Sequence, residues 1–234
     1  DRSGNELRSF GATKSYKQLV FSPNEAWFSY YESADTAKQK QHQLHLYSFT
    51  DKTLFSIADT LSGILPERKA VSESFKPVFS ENGKYFFFGS SDRVLPEEKD
   101  TLLESEKAKV DIWHYEDHRI QPQQLKELKR DERKTDLYVY HLNNGQIINV
   151  NNDTLNAYVS RFTDGEYILG SSEELYAIQN NWDMPDRKDH YRINLFTGEK
   201  ELIRSEVRTG GELSPDGKSF LYFNELKGQH HIID

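Results

Sequence analysis

The stretch Ser80-Glu81-Asn82-Gly83-Lys84-Tyr85-Phe86-Phe87-Phe88 is a polar turn running straight into four aromatic residues. It has three relatives along the chain. Ser22-Pro23-Asn24-Glu25 precedes Ala26-Trp27-Phe28-Ser29-Tyr30, Thr163-Asp164-Gly165 precedes Tyr167-Ile168-Leu169, and Ser214-Pro215-Asp216-Gly217 precedes Phe220-Leu221-Tyr222-Phe223. Asn and Asp bond their own backbone in such turns, and Gly takes the positive φ that a β-carbon resists. Each copy therefore reads as a tight turn feeding a buried strand. Taking positions 25, 83, 165 and 217 as equivalent, the intervals are 58, 82 and 52 residues. A propeller blade of four antiparallel strands occupies about 40–50 residues, so the spacing predicts blades that carry insertions.

A second motif alternates with the first. Leu44-His45-Leu46-Tyr47-Ser48-Phe49-Thr50-Asp51-Lys52-Thr53-Leu54, residues 137–148 around Asn144-Gly145, and residues 191–199 around Thr197-Gly198 each read as strand, hairpin turn, strand. The anchors of this second turn are placed at 51, 145 and 198. Two turn types in regular order point to one copied supersecondary unit. The expected fold is all-β, a partial β-propeller of about four four-stranded antiparallel blades, with a charged helical insertion around 96–134. Within that insertion, Pro96 opens an acidic stretch that reads as a helix to Lys109, and Leu125 to Lys134 reads as another. Val110-Asp111-Ile112-Trp113-His114-Tyr115 between them reads as a strand, and both helices as solvated decoration. Residues 1–20 are expected to complete a preceding blade. The chain begins at Asp1 and stops after the strand-like Ile232-Ile233-Asp234, so residues 1–234 are read as an incomplete propeller domain within a longer protein.

Composition supports a folded chain. Hydrophobic content is 35%, but 13 Tyr and 14 Phe bring the aromatic share to 13%, which suits large buried residues alternating with a charged surface. A formal net charge of −8 argues against binding to a phosphate backbone, so no nucleic-acid partner is expected. The absence of cysteine removes disulfides, thiolate metal sites and a cysteine nucleophile. No stretch reaches the length of a membrane span.

Catalytic signatures are missing. A nucleophile elbow needs Gly-x-Ser-x-Gly, and Gly89-Ser90-Ser91 and Gly170-Ser171-Ser172 lack its second glycine, so they read as polar strand ends. There is no phosphate-binding glycine loop, and no cofactor is expected. His114 and His118 could share a strand face, but no third ligand accompanies them and no metal is expected. Asn152-Asp153-Thr154 fits a glycosylation triplet of a kind common by chance. Among many acidic pairs, Glu116-Asp117 stands out because it follows Trp113-His114-Tyr115. Carboxylates framed by aromatic rings could hold an ammonium group through charge and cation–π contact.

The run Lys76-Pro77-Val78-Phe79-Ser80-Glu81-Asn82-Gly83 through Gly89 resembles the propeller of prolyl-oligopeptidase-family (S9) serine peptidases. The resemblance sharpens over Pro96–Thr101, Val110–Asp117 and Ile120-Gln121-Pro122-Gln123-Gln124-Leu125, which are similar to large bacterial members of the Bacteroidetes type. It implies a propeller that gates peptide access to a C-terminal α/β-hydrolase domain of the same parent chain. The Ser-Asp-His triad would lie in that domain, outside these residues. In the dipeptidyl-peptidase branch a Trp-x-Tyr-Glu-Glu segment holds the substrate's amino terminus. Trp113, Tyr115 and Glu116 match it, and Asp117 replaces the second glutamate. The implied partners are a peptide substrate and the hydrolase domain, and the implied location is periplasmic or secreted. The alternative is a non-catalytic propeller, similar to TolB, that binds protein or peptide partners. A propeller glycosidase would need carboxylates converging on the channel, and nothing in the sequence favours sugar.

Overall fold

The computed structural model describes residues 9, 13–36, 40–58, 64–93, 110, 114, 116–151, 154–159 and 163–234. Four antiparallel sheets follow one another along them. The first contains β1 (Ser15–Phe21), β2 (Trp27–Ser33), β3 (Gln43–Ser48) and β4 (Thr53–Ala58) in that order. In the second, β5 (Lys69–Val71) and β6 (Val78–Phe79) share the first-strand position, both pairing with β7 (Tyr85–Asp92), followed by β8 (Asp136–His141) and β9 (Ile147–Asn149). The third has β10 (Asn156–Tyr158), β11 (Tyr167–Ser172), β12 (Lys188–Asn194) and β13 (Lys200–Val207), and the fourth β14 (Gly211–Leu213), β15 (Phe220–Asn224) and β16 (Gln229–Ile233). Each sheet is a meander of sequence neighbours. This is a partial β-propeller.

Three of the four repeated turns carry the same hydrogen bonds. Ser80 Oγ donates to Asn82 Oδ1 at 2.8 Å and accepts from the Tyr85 N–H at 3.0 Å, while the Gly83 N–H reaches the Ser80 carbonyl at 3.1 Å. Ser22, Asn24 and Trp27 repeat the side-chain pattern at 2.7 and 2.8 Å, and Ser214, Asp216 and Ser219 repeat it at 2.6 and 2.9 Å. Gly83 and Gly217 take φ of 68° and 76° as expected, and Glu25 adopts 56° in the same place, a backbone that favours glycine. Gly165 differs from expectation. It is not among the positive-φ glycines; a β-carbon there would lie 2.5 Å from the Asp216 carbonyl oxygen, so close approach of the next blade explains the glycine. In the second turn type the positive-φ residues are Lys52, Gly145 and Gly198, which moves the first anchor from 51 to 52.

Strand alternation sends neighbouring side chains to opposite blade junctions. Phe86 and Phe88 of β7 join a core with Tyr31, Leu44 and Leu46 of the first sheet. Tyr85 and Phe87, on the other face, join Ile168, Ile193 and Leu195 of the third. The third core packs Leu169 and Val207 against Phe220 and Tyr222 of β15. The aromatic pair one residue apart recurs at equal places: Phe28–Tyr30, Phe86–Phe88 and Phe220–Tyr222 stack with centroids 5.7, 6.2 and 5.9 Å apart. The second ring of each pair also stacks on an aromatic ring directly opposite in the next strand, His45, Tyr138 and His231 respectively.

Polar contacts tie successive blades at the repeated turns. The Asn82 N–H donates to Asp164 Oδ1 at 3.1 Å, the Gly165 N–H to the Pro215 carbonyl at 3.1 Å, and His141 Nε2 lies 2.9 Å from the Leu195 carbonyl. Gln18 Nε2 donates to the Glu73 carbonyl at 2.9 Å, and Lys17 pairs with the Glu73 carboxylate at 2.5 Å.

Two further expectations are corrected. Residues 15–21 form the first strand of the first blade, because β1 pairs with β2 in register; residues 1–8 and 10–12 lie outside the described residues. The helix expected from Leu125 to Lys134 is α1 (Gln121–Asp131). Pro122, in its first turn, has the fixed φ that suits a helix start and draws that start upstream. None of its residues is buried, in keeping with solvated decoration. The helix expected from Pro96 to Lys109 lies outside the described residues, as does most of the strand expected over 110–115.

Candidate functional site

In an antiparallel meander the connections between first and second strands and between third and fourth leave from one end of the blade. The second-to-third connections leave from the other. The two largest connections, residues 93–135 and 173–187, are both second-to-third, so they rise from the same end of adjacent blades.

Each is closed at its stem by a lysine. Lys69 lies 3.0 Å from Asp92, the last residue of β7, and 2.9 Å from Asp136, the first of β8, and so staples the base of the longer insertion. Burial alone would lower its pKa, but the hydrogen bonds to Asp136 and Asp92 outweigh burial and raise it. Asn151 helps, accepting from the Leu137 N–H at 2.6 Å and donating to the Thr135 carbonyl at 3.2 Å. In the shorter insertion Lys188 meets Glu173 at 2.5 Å. Tyr176 donates to the buried Asp189 at 2.7 Å, and burial followed by that bond pushes the phenol up to about 12.

Above these stems the insertions carry ion-pair networks. Arg119 joins Glu127 at 2.8 Å and Asp131 at 2.7 Å, fastening α1 to the turn before it. Asp183 accepts from Arg208 at 2.7 Å and from Arg187, which also reaches Glu206 at 2.8 Å. The guanidiniums of Arg208 and then Arg187 hold the Asp183 carboxyl down at about 2. The insertions meet where Asn181 Nδ2 donates to the His118 carbonyl at 3.0 Å. Trp182, the residue after Asn181, is exposed, as is Met184.

Of the expected amine-holding residues, Glu116 and Asp117 lie on an exposed turn. Asp117 folds back, its N–H donating to the His114 carbonyl at 3.2 Å, and the Glu116 N–H reaches His114 Nδ1 at 3.2 Å. Trp113 and Tyr115 lie outside the described residues, as do Asn152 and Asp153 of the glycosylation triplet. Among the described residues no three His, Cys, Asp or Glu side chains converge as metal ligands. Gly89-Ser90-Ser91 and Gly170-Ser171-Ser172 are strand ends as expected, though Ser90 and Ser171 are buried.

Sequence reasoning missed a cleft of about 890 Å³ between the third and fourth sheets. Its walls come from β10, β11, β12, β14 and the returning arm of the shorter insertion, with Tyr158, Leu169, Met184, His190, Arg208 and Glu212 among its lining. No local signal marks it, because its lining runs from Tyr158 to Pro215, fifty-seven positions apart, and each part reads as ordinary strand or turn.

No family model matches the chain, and no curated protein matches it. Several solved structures are similar to it. The β-propeller domain of the trilobed protease from Pyrococcus furiosus shares 9% identity over 93% of this chain and 54% of that one, with a TM-score of 0.44. The acylaminoacyl peptidase of Pyrococcus horikoshii shares 13% over 88% of this chain and 28% of that one, TM-score 0.41. TolB from Acinetobacter baumannii shares 15% over 94% of this chain and 43% of that one, TM-score 0.36. The chain thus spans between about a quarter and about half of these proteins. No helix among the described residues is long and apolar enough to cross a membrane.

Proposed function

We propose that this chain is the propeller portion of a serine peptidase of the prolyl-oligopeptidase kind, and that it gates peptide access to a catalytic domain encoded elsewhere in the same parent. The observation that carries this reading is the joined pair of insertions. Both rise from one end of adjacent blades, both are stapled at the base by lysine–carboxylate pairs, and Asn181 bonds His118 between them. A raised rim on one mouth of a propeller limits what reaches that mouth by size. The resemblance of residues 76–125 supplies the chemical class: an acyl transfer to a serine, with its histidine base and oxyanion hole on the hydrolase domain.

In this reading Glu116 and Asp117 sit on the rim where a substrate's ammonium group would pass, and the parent works in the periplasm or outside the cell. The experiment is capture of the native protein from its own cells with an antibody raised against this chain, followed by labelling with a biotinylated fluorophosphonate. A labelled polypeptide well above 27.3 kDa is expected, while the isolated 234-residue chain stays unlabelled. A native protein that is unlabelled and no larger than this chain overturns the proposal.

A further inference from the structure

We propose that the cleft between the third and fourth sheets binds an extended peptide segment carrying lysine or arginine among apolar side chains. Three features of its walls lead there.

The first is main-chain capacity. Among the described residues β10 pairs only with β11, and β14 only with β15, so each line of N–H and C=O groups has one side open. Both strands line the cleft. An open strand edge beside a groove is a template for a further strand, and an extended peptide supplies one.

The second is shape and polarity. A volume of about 890 Å³ lies within the range of about 300–1,000 Å³ found for ligand sites. Leu169, Leu213 and the exposed Met184 give apolar surface for alternate side chains, and Tyr158 adds a ring whose hydroxyl is fixed 2.9 Å from Ser171 Oγ. The buried His190 lies in the same wall, with an Nδ1 that has no hydrogen-bond partner among the described residues.

The third is charge. The cations at the cleft are already matched, Lys188 by Glu173 at 2.5 Å and Arg208 by Asp183 at 2.7 Å. Asp186 lines the cleft and makes no ion pair among the described residues, in a chain whose net charge is −8. The unmatched charge in the cleft is negative, which selects a basic side chain.

This goes beyond gating. A gate needs only an obstacle, whereas binding needs affinity in the cleft, so the two ideas fail separately. The test titrates the full chain into a fluorescein-labelled hexapeptide alternating valine and lysine, read by fluorescence polarisation. Saturable binding is expected, with the valine–glutamate counterpart at least tenfold weaker. Methylating alternate backbone nitrogens of the basic peptide should weaken binding by about threefold to tenfold for each hydrogen bond lost. Asp186→Lys should weaken it by about threefold to tenfold, while Glu199→Lys, the same charge change at a turn away from the cleft, leaves it unchanged. Absence of saturable binding overturns the inference. So does equal weakening by both charge reversals, or indifference to backbone methylation. None of these results bears on whether a larger parent reacts with a fluorophosphonate.

Discussion

Phe87 and Phe88 are adjacent and both fully buried, yet strand alternation assigns them to different blade junctions. Phe88 packs in the core between the first and second sheets, stacked on Phe86 and on Tyr138 with centroids 6.2 and 5.6 Å away. Phe87 packs between the second and third, beside Tyr85 and Val139. Truncating either to alanine removes a side chain of the kind that buries about 150–250 Å², which at about 25 cal/mol per Å² corresponds to about 4–6 kcal/mol. Measured phenylalanine truncations run about 3–5 kcal/mol, and we take about 4. In a repeat array that loss falls mainly on the junction concerned, since each module touches only its neighbours.

The assay is amide hydrogen exchange resolved by peptide. A loss of about 4 kcal/mol lowers protection by about a thousandfold where opening is junction-limited. In Phe88→Ala the fall should appear in β2 and β3, with β11 and β12 spared. In Phe87→Ala it should appear in β11 and β12, with β2 and β3 spared. If the two variants give the same exchange map, the sheets do not meet face to face in this alternating way.

Lys69→Met should leave the strands intact but leave Asp92 and Asp136 facing each other without a cation, so trypsin should cut within residues 93–135 several-fold faster at unchanged melting temperature. Glu25→Gly removes a β-carbon from a φ of 56°; relief of about 1–2 kcal/mol against a glycine entropy cost of about 0.5–1 leaves a gain of about 0.5–1, seen as a rise of a few degrees in Tm. A lower Tm would mean that the Glu25 side chain contributes more than its backbone strain costs. Burial holds His42 and His190 below the usual histidine range, against the pull of Glu73 on the first and Asp189 on the second. The unfolded chain then binds protons better in acid. Stability should be full above the unfolded value of about 6.5, fall as pH drops through it, and level off below the folded values. The double variant His42→Gln, His190→Gln should flatten urea midpoints measured between pH 7 and 5.

The fold was legible because its signal is local. Ser80, the side-chain oxygen of Asn82 and Gly83 make the hydrogen bonds that shape the turn within six residues of chain, so the motif that builds the turn is also a motif in the sequence. The same holds for Asn144-Gly145 and Thr197-Gly198. Where a residue answers to something distant, the reading slipped. Gly165 looked like its counterparts, but the next blade's Asp216 explains it, a neighbour fifty-one residues on. The stems were invisible for the same reason, since Asp92 and Asp136 are forty-four residues apart and only the pairing of β7 with β8 brings both to Lys69.

The position of the insertions is a consequence of strand parity rather than of their own sequences. A segment inserted between second and third strands must emerge at the end opposite the Ser-Asn-Gly turns, because β7 and β11 both run away from those turns. Those turns bond one another from blade to blade through Asn82, Asp164, Gly165 and Pro215, which leaves that end little freedom to vary. Variation is therefore admitted at the other end, where a stem needs only a lysine and its acids to close it. The helix α1 illustrates the result: none of its residues is buried, it is held by Arg119 to Glu127 and Asp131, and it presents Leu125 and Leu128 outward. A segment so lightly tied to the blades can change its sequence at little cost to the sheets. If the proposed gating holds, this is the physical reason to look for specificity there.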